Sequence, residues 1–377
     1  MKVAYDSQIF SAQKYGGISR YFCEIASRIS KLPEVDISIT APMHINSYLT
    51  QVPKAIVSGF QAPNTERFQT SLGKNYPRLV MRGLGLLMGD VMLRTMKPDI
   101  IHETYFSPYR LGGGRARRVL TIYDMIHEKF ASSFSYDDKT ARYKAQAAER
   151  ADHIICISES TRRDAIDILG LNPDKISVIY LGFDLMNKDD KCSEKITLPT
   201  HKPFLLYVGK RGGYKNFLRL LEVYGSSIQL KTEYNLICFG GGAFSENELA
   251  MMQKLSLVNG QVLQTTGDDH LLAKLYERAS AFILSSQYEG FGIPPLEAMS
   301  HGCPVVCSNT SSISEVVGDA GEYFDPADTE SMRVAIERVI ASDDHQKLLI
   351  EKGHERLKCF SWDRCAVETL DIYRKLV

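Results

Sequence analysis

Apolar residues along the chain fall in short, nearly continuous runs, separated by stretches in which they recur every three or four positions. Runs of this kind, rich in β-branched and aromatic side chains, read as strands. In the first half they are Val3–Asp6, Asp36–Thr40, Ile100–Glu103, Val119–Asp124, His153–Ser158 and Ile176–Leu181. Between them the period becomes helical. Ile18, Phe22, Ile25 and Ile29 share one face of Ile18–Leu32, and Asp137–Ala151 and Glu159–Leu169 follow, the latter with Ser158 placed as its cap. Strands apolar on both faces, each followed by a helix, belong in parallel sheets covered on both sides.

The alternation lapses over 183–202, a polar stretch without period, and resumes with Phe204–Gly209, Leu236–Phe239, Gln261–Thr266, Ala281–Ser285 and Pro304–Ser308. Helices are expected at Phe217–Tyr224, Glu246–Leu257 and Leu271–Ala279, and the tail Thr329–Val377 has apolar positions at helical spacing. The pattern predicts an α/β protein of two Rossmann-like, doubly wound domains, 1–182 and 203–358, joined by a linker over 183–202 and followed by a last helix in 359–377. Two such sheets are expected to face each other across a cleft, with ligands beyond the carboxyl ends of the strands.

A length of 377 residues suits two cores, and 44% hydrophobic with 24% charged residues is ordinary for a soluble protein. Zero net charge gives no reason to expect a nucleic-acid partner. The charge is uneven: residues 1–182 hold 24 basic and 18 acidic side chains, the rest 21 and 27. Residues 54–118 alone hold 11 basic and 4 acidic, including Arg110, Arg115, Arg117 and Arg118 around Gly112–Gly114. With the apolar stretch Leu79–Met96, this could be a solvated surface over a core helix or a peripheral contact with an anionic membrane that also holds acceptor phosphate. Arg82, Asp90 and Arg94 interrupt that stretch, so it is not expected to span a membrane. No charged leader with an apolar core is evident, and eight cysteines without a Cys-x-x-Cys pair read as reduced thiols, so a cytoplasmic protein is expected.

Four segments carry candidate chemistry. Glu289-Gly-Phe-Gly-Ile-Pro-Pro-Leu-Glu297 follows a strand and opens a helix. Gly290 and Gly292 allow close backbone approach around Phe291 and Ile293, and a helix start suits an anion such as a diphosphate. Carboxylates at Glu289 and Glu297 can each accept hydrogen bonds from vicinal hydroxyls, of a sugar or a ribose; acidic residues also simply stabilise helix starts. Gly209-Lys-Arg-Gly-Gly-Tyr-Lys-Asn216 places Lys210, Arg211 and Lys215 in another strand-to-helix loop, as phosphate cations or a solvated turn. Gly16 and Gly17 precede a helix after the first strand. Thr121-Ile-Tyr-Asp124 ends a strand in a carboxylate that either points at a ligand or caps a loop. No Asp-x-Asp or His-Glu-x-x-His occurs, so no metal is expected.

Together these segments resemble retaining glycosyltransferase family 4, across essentially the whole chain. The likeness is densest over Asp268–Pro326, where Leu275-Tyr-Glu-Arg-Ala, Glu289–Met299, Gly302-Cys-Pro-Val-Val and Glu315-Val-Val-Gly-Asp-Ala follow the family order. The resemblance implies a GT-B fold whose closing helix, opened by Phe360-Ser-Trp-Asp-Arg, crosses back to the N-terminal domain. It implies retaining transfer of a hexose from a nucleoside diphosphate sugar, without a metal or other cofactor, to a glycan or lipid-linked acceptor.

Residue by residue, Gly16 and Gly17 match the family's glycine loop, Lys210 or Arg211 and Lys215 its phosphate cations, Glu289 the glutamate at the transferred sugar and Glu297 the one at the ribose. Asp124 is expected near the acceptor. Glu289, Asp124 and Lys215 are the expected catalytic set. Two departures matter: Tyr123-Asp124 stands where many members have His-Asp, and Thr266-Gly-Asp-Asp-His270 is unusual for the loop that binds the base. The Glu-Gly-Phe-Gly-Ile-Pro-Pro-Leu-Glu version is similar to bacterial polysaccharide and O-antigen mannosyltransferases, so GDP-mannose is the expected donor and a UDP-hexose the alternative. A UDP-sugar epimerase or a non-catalytic sugar-nucleotide-binding protein are the remaining rivals.

Overall fold

The continuous apolar runs become the strands of two parallel sheets, seen here in a computed structural model that describes residues 1–62, 76–183, 197–258 and 260–377. The chain forms two compact units, one of Met1–Glu128, Tyr136–Gly182 and Ser361–Val377, the other of Lys129–Ser135 and Phe183–Phe360. Most of the expected linker, 183–202, lies outside the described residues.

The first unit holds strands β1 (Lys2–Tyr5), β2 (Asp36–His44), β3 (Val57–Gln61), β4 (Ile100–Glu103), β5 (Arg117–Ile122), β6 (His153–Cys156) and β7 (Ile176–Val178), in the order β3-β2-β1-β4-β5-β6-β7. Every pairing is parallel. The order reverses between β1 and β4, where Val3 lies beside Ile100. The second unit repeats the plan with β8 (Phe204–Val208), β9 (Asn235–Phe239), β10 (Val262–Thr265), β11 (Ala281–Leu284), β12 (Val305–Ser308) and β13 (Gly321–Phe324), ordered β10-β9-β8-β11-β12-β13. Its reversal falls between β8 and β11. Such switch points open a crevice beyond the strand carboxyl ends. The loop after β8 begins at Gly209 and the loop after β11 leads to Glu289, so the two richest motifs flank this one switch point.

Two edge strands, β3 and β13, have no counterpart in the sequence expectation. β3 is largely exposed and β13 is fully buried only at Phe324, and neither has the apolar run that marks a central strand. The stretch Leu79–Met96 lies within a single helix, Tyr76–Met96.

The terminal helix, Trp362–Leu376, belongs to the first unit although it follows the second in sequence. Its Tyr373 hydroxyl lies 2.6 Å from His102 Nδ1 and donates to Tyr5 at 3.1 Å, all three side chains being buried. His102 Nε2 meets Thr121 Oγ1 at 2.8 Å. Gly182 is required where this helix starts, because a Cβ there would lie 2.2 Å from the Trp362 backbone nitrogen. At the helix's outer face, Asp363 pairs with Arg28 at 2.8 Å and Arg374 with Glu34 at 2.7 Å.

Candidate functional site

In the second unit, the loop after β8 and the loop after β11 meet through one ion pair. Lys215 Nζ lies 2.7 Å from Glu289 Oε1, and Ser286 Oγ donates to the same carboxylate oxygen at 2.6 Å. The pair is partly shielded, with side-chain exposures of 22% and 13%, so its attraction is stronger than that of a surface pair yet still reachable by a ligand. Lys215 ends the single turn Gly213–Lys215 and sits over the Tyr214 ring. Ser285 Oγ fixes its carbonyl at 2.8 Å. Asn216 then takes a left-handed conformation (φ 57°) and starts helix Phe217–Ser226. Lys210 is exposed, and its carbonyl accepts the Tyr207 hydroxyl at 2.6 Å.

Gly292 caps the helix Ile293–Ser300 at φ 107°, a conformation that favours glycine. Pro294 and Pro295 remove two of the first-turn N–H groups, so anion contacts at this helix start must come from Ile293 and the loop before it. Phe291 is buried edge-on against Phe360, with ring centroids 5.6 Å apart. One turn into the helix, Glu297 accepts the Tyr276 hydroxyl at 3.1 Å. Burial, and then the negative charge of Glu297, push the Tyr276 phenol well above its usual range, so it remains a donor to that carboxylate. Tyr276 stacks on His301, whose Nδ1 lies 2.9 Å from the Glu297 carbonyl. Tyr276, from Leu275-Tyr-Glu-Arg-Ala, had been visible only as part of a motif.

Arg211 was expected among the phosphate cations. The structure gives it a different task. It is 6% exposed, and its guanidinium donates to Glu248 at 2.9 Å and to the carbonyls of Gly240, Gly242 and Ala243 at 3.0, 2.7 and 2.9 Å. Four N–H contacts directed inward leave this side chain a brace for the loop after β9, because its planar fork is already matched to protein oxygens. Sequence reading missed a further neighbour: Phe130, from the short segment Lys129–Ser135, packs on Tyr214 and Tyr288 with centroids 5.6 and 6.1 Å away. Ser133 Oγ lies where a Cβ on Gly213 would come within 2.8 Å.

In the first unit, Gly16 caps helix Gly17–Ile29 with no side chain in the cap, and a Cβ on Gly17 would meet nothing within 4 Å. Asp124 stands just past β5, where its carboxylate accepts the Ile126 N–H at 3.1 Å and the fully buried Lys144 reaches its carbonyl at 2.7 Å. Beyond the carboxyl ends of β1 and β4 lies a hollow of about 340 Å³, walled by Gln8, Ser11, Tyr105, Phe106, Tyr109 and Tyr143 among others. A larger hollow, about 720 Å³, lies at the opposite, amino end of β4 and β5 and includes Arg94, Lys97, Arg115 and Arg117. Position outweighs volume here, since open α/β sheets bind ligands past their carboxyl ends.

The arginines around Gly112–Gly114 therefore do not converge on the end of the sheet that carries Asp124. Arg118 is buried and pairs with Glu103 at 3.3 Å, which Arg150 also engages at 2.6 Å; Arg117 pairs with Asp152 at 3.0 Å. Among the described residues no group of three or more His, Cys, Asp or Glu side chains could hold a metal ion, and no helix is long and apolar enough to cross a membrane.

Two parallel-sheet units with paired strand-to-helix loops at a switch point, and a last helix returned to the first unit, define a glycosyltransferase of the GT-B fold. The family described as Glycosyltransferase Family 4 matches residues 15–186, and that described as Glycosyl transferases group 1 matches 188–356. The chain belongs to these glycosyltransferases, which transfer a sugar from a nucleoside diphosphate sugar to a glycan or lipid acceptor. It is similar to the O-antigen chain mannosyltransferase B of Escherichia coli, 29% identical with 96% of each chain covered. It is also similar to the alpha-maltose-1-phosphate synthase of Mycolicibacterium smegmatis, 24% identical over the whole of both chains. Among solved structures, sucrose-phosphate synthase from Thermosynechococcus elongatus shares the fold at a TM-score of 0.73, with 19% identity and coverage of 100% of this chain and 98% of that one.

Proposed function

We propose that the chain is a retaining hexosyltransferase in which Lys215 and Lys210 hold the donor diphosphate, Glu289 the transferred sugar and Glu297 the ribose, with Asp124 on the acceptor side. The observation that carries this reading is the Lys215–Glu289 pair at 2.7 Å. A cation suited to phosphate and a carboxylate suited to sugar hydroxyls are already side by side at the switch point of the second unit. As the bond to the anomeric carbon breaks, negative charge grows on the diphosphate, and a fixed ammonium stabilises that charge without needing a metal. Resemblance to retaining glycosyltransferases that work without a metal supports retention and metal independence.

The contacts assigned here address parts common to all nucleoside diphosphate hexoses, so they leave the base and the sugar open between two readings. Likeness to the O-antigen chain mannosyltransferase B of E. coli supports a mannosyl donor, for which GDP-mannose is one reading. A UDP-hexose fits the same cations and carboxylates equally well. Thermal shifts with GDP, UDP and ADP, followed by sugar release from the matching hexoses with and without EDTA, separate them. Stabilisation by one diphosphate and EDTA-resistant release are expected. No shift with any diphosphate and no release would sink the reading.

For the acceptor, the tyrosine-walled hollow of the first unit suits a saccharide, since aromatic faces pack against its C–H groups while Gln8 and Ser11 present polar atoms. A peripheral membrane contact is supported by helix Tyr76–Met96, on which Leu84, Leu87, Met88 and Val91 are 44–68% exposed along one stripe. Arg94 continues the stripe and lines the larger hollow with Lys97, Arg115 and Arg117. An apolar face running into cations matches an anionic headgroup layer.

A further inference from the structure

The loop that carries Glu289 is gripped by four side-chain hydroxyls within 308–312, at the end of β12 and in the turn and helix start that follow it. Ser308 donates to the Ser286 carbonyl, and Thr310 to that of Gln287 at 3.1 Å. Ser311 Oγ accepts the Glu289 N–H at 2.9 Å. Ser312 donates to the carbonyls of Glu289 at 2.8 Å and Phe291 at 3.0 Å. Ser308 and Ser312 are fully buried, which makes each of these bonds costly to leave unmade. The backbone is thus pinned before, at and after Glu289, while its carboxylate stays turned toward Lys215.

Ser311 holds φ 52° and ψ −136°, a region glycine enters freely and L residues avoid. A glycine would fit this backbone without strain. It would lack the hydroxyl that meets Glu289. Strain kept at a position whose side chain touches the site loop is the pattern expected where geometry serves function rather than stability.

We infer that Ser311 and Ser312, with Thr310 and Ser308, are positioning residues that preset the Glu289 loop for the donor before it binds. This rests on the reading of Glu289 as the sugar-facing carboxylate. Once the loop is pinned, its ordering cost is met in folding and the donor's binding energy remains available for transfer.

The test compares the parent with Ser311→Gly and Ser312→Ala in the full chain, by melting temperature, donor hydrolysis and amide exchange over 286–292. Ser311→Gly is the informative variant, because it relieves backbone strain while deleting the hydroxyl. The expected result is an unchanged or raised melting temperature, faster exchange of the loop amides, and kcat lowered ~5–10-fold, the loss of about one hydrogen bond's worth of preorganisation. A lowered melting temperature with loop exchange and kcat unchanged would mean a purely structural serine and overturn the clamp. Should Ser312→Ala fold poorly, Ser311→Gly decides alone. A parent that hydrolyses no nucleoside diphosphate hexose overturns the donor reading and the positioning role with it. An active parent whose variants match it in exchange and turnover overturns the clamp only.

Discussion

Lys215 and Glu289, 74 residues apart in sequence, are joined at 2.7 Å through loops that leave adjacent strands of one sheet. Neither loop alone makes a site. The pairing of β8 with β11 brings them together, so the chemistry is a product of strand order. On the proposed reading, a donor diphosphate arriving there shares the lysine with the glutamate. Lys215→Ala should therefore weaken nucleoside diphosphate binding by ~1.5–3 kcal/mol, the size of a charge-assisted hydrogen bond. Calorimetry measures this, and undiminished affinity would remove Lys215 from the diphosphate.

Tyr276→Phe deletes the one hydroxyl that the phenol directs to Glu297 while keeping the ring stacked on His301. If Glu297 holds the ribose as proposed, the donor KM should rise about fivefold with kcat nearly constant, since such a contact is the same in ground and transition states. Steady-state kinetics with saturating acceptor distinguish this from a fall in kcat, which would place Tyr276 closer to the reacting atoms.

Arg211→Ala should act on stability rather than on donor affinity. It strands Glu248, which is 8% exposed in its side chain, and frees three carbonyls of the loop after β9. Removing one partner of a buried pair costs ~3–5 kcal/mol. Urea unfolding reads the loss. Full stability with weakened nucleotide binding would restore the arginine to the phosphate site.

Acid stability should turn on two buried groups of the first unit with opposite signs. Burial pulls His102 down to about 3, below its unfolded value of ~6.5. The unfolded chain then binds the extra proton, so this contribution is complete above ~6.5 and is lost as pH falls toward 3, at up to ~1.4 kcal/mol per pH unit. Burial first, and the charge of Glu103 second, raise Asp6 to about 6 from an unfolded value of ~3.9. Its contribution is complete below ~3.9 and lost as pH rises through 6, so it offsets His102 between pH 4 and 6. His102→Gln should flatten the acid loss and Asp6→Asn steepen it, in urea midpoints taken from pH 4 to 7. Parallel profiles for all three proteins would contradict the assignment.

Sedimentation with anionic vesicles tests the exposed stripe. The parent should pellet at low salt and be released at high salt, and Leu87→Ser with Val91→Ser should reduce pelleting under both conditions. Equal, negligible pelleting of both proteins would leave the stripe without a membrane role.

Central strands were legible because burial on both faces writes an apolar run, and Ile100–Glu103 and the helix Glu159–Leu169 with its Ser158 cap appear at the expected residues. The edge strands Val57–Gln61 and Gly321–Phe324 were not, since an edge strand that is only partly buried needs no such run. Within the candidate site, spacing singled out glycines and acidic residues, and the fold brings one of the latter, Glu289, beside Lys215. Arg211 misled because charge in a loop does not reveal direction: Lys210 points out and Arg211 points in. Ser311 was silent, because a serine's sequence neighbours carry no trace of a positive φ.

The return of helix Trp362–Leu376 sets an order on biosynthesis. His102 and Tyr373 are 271 residues apart, and the whole second unit lies between them. At the ribosome the amino-terminal sheet emerges first but must wait, its Tyr5–His102 surface bare, until helix Trp362–Leu376 has left the tunnel. The second unit, contiguous in sequence except for Lys129–Ser135, meets no such delay. A chain released near residue 360 would pair a finished second unit with a first unit still lacking the helix Trp362–Leu376, a client for chaperones.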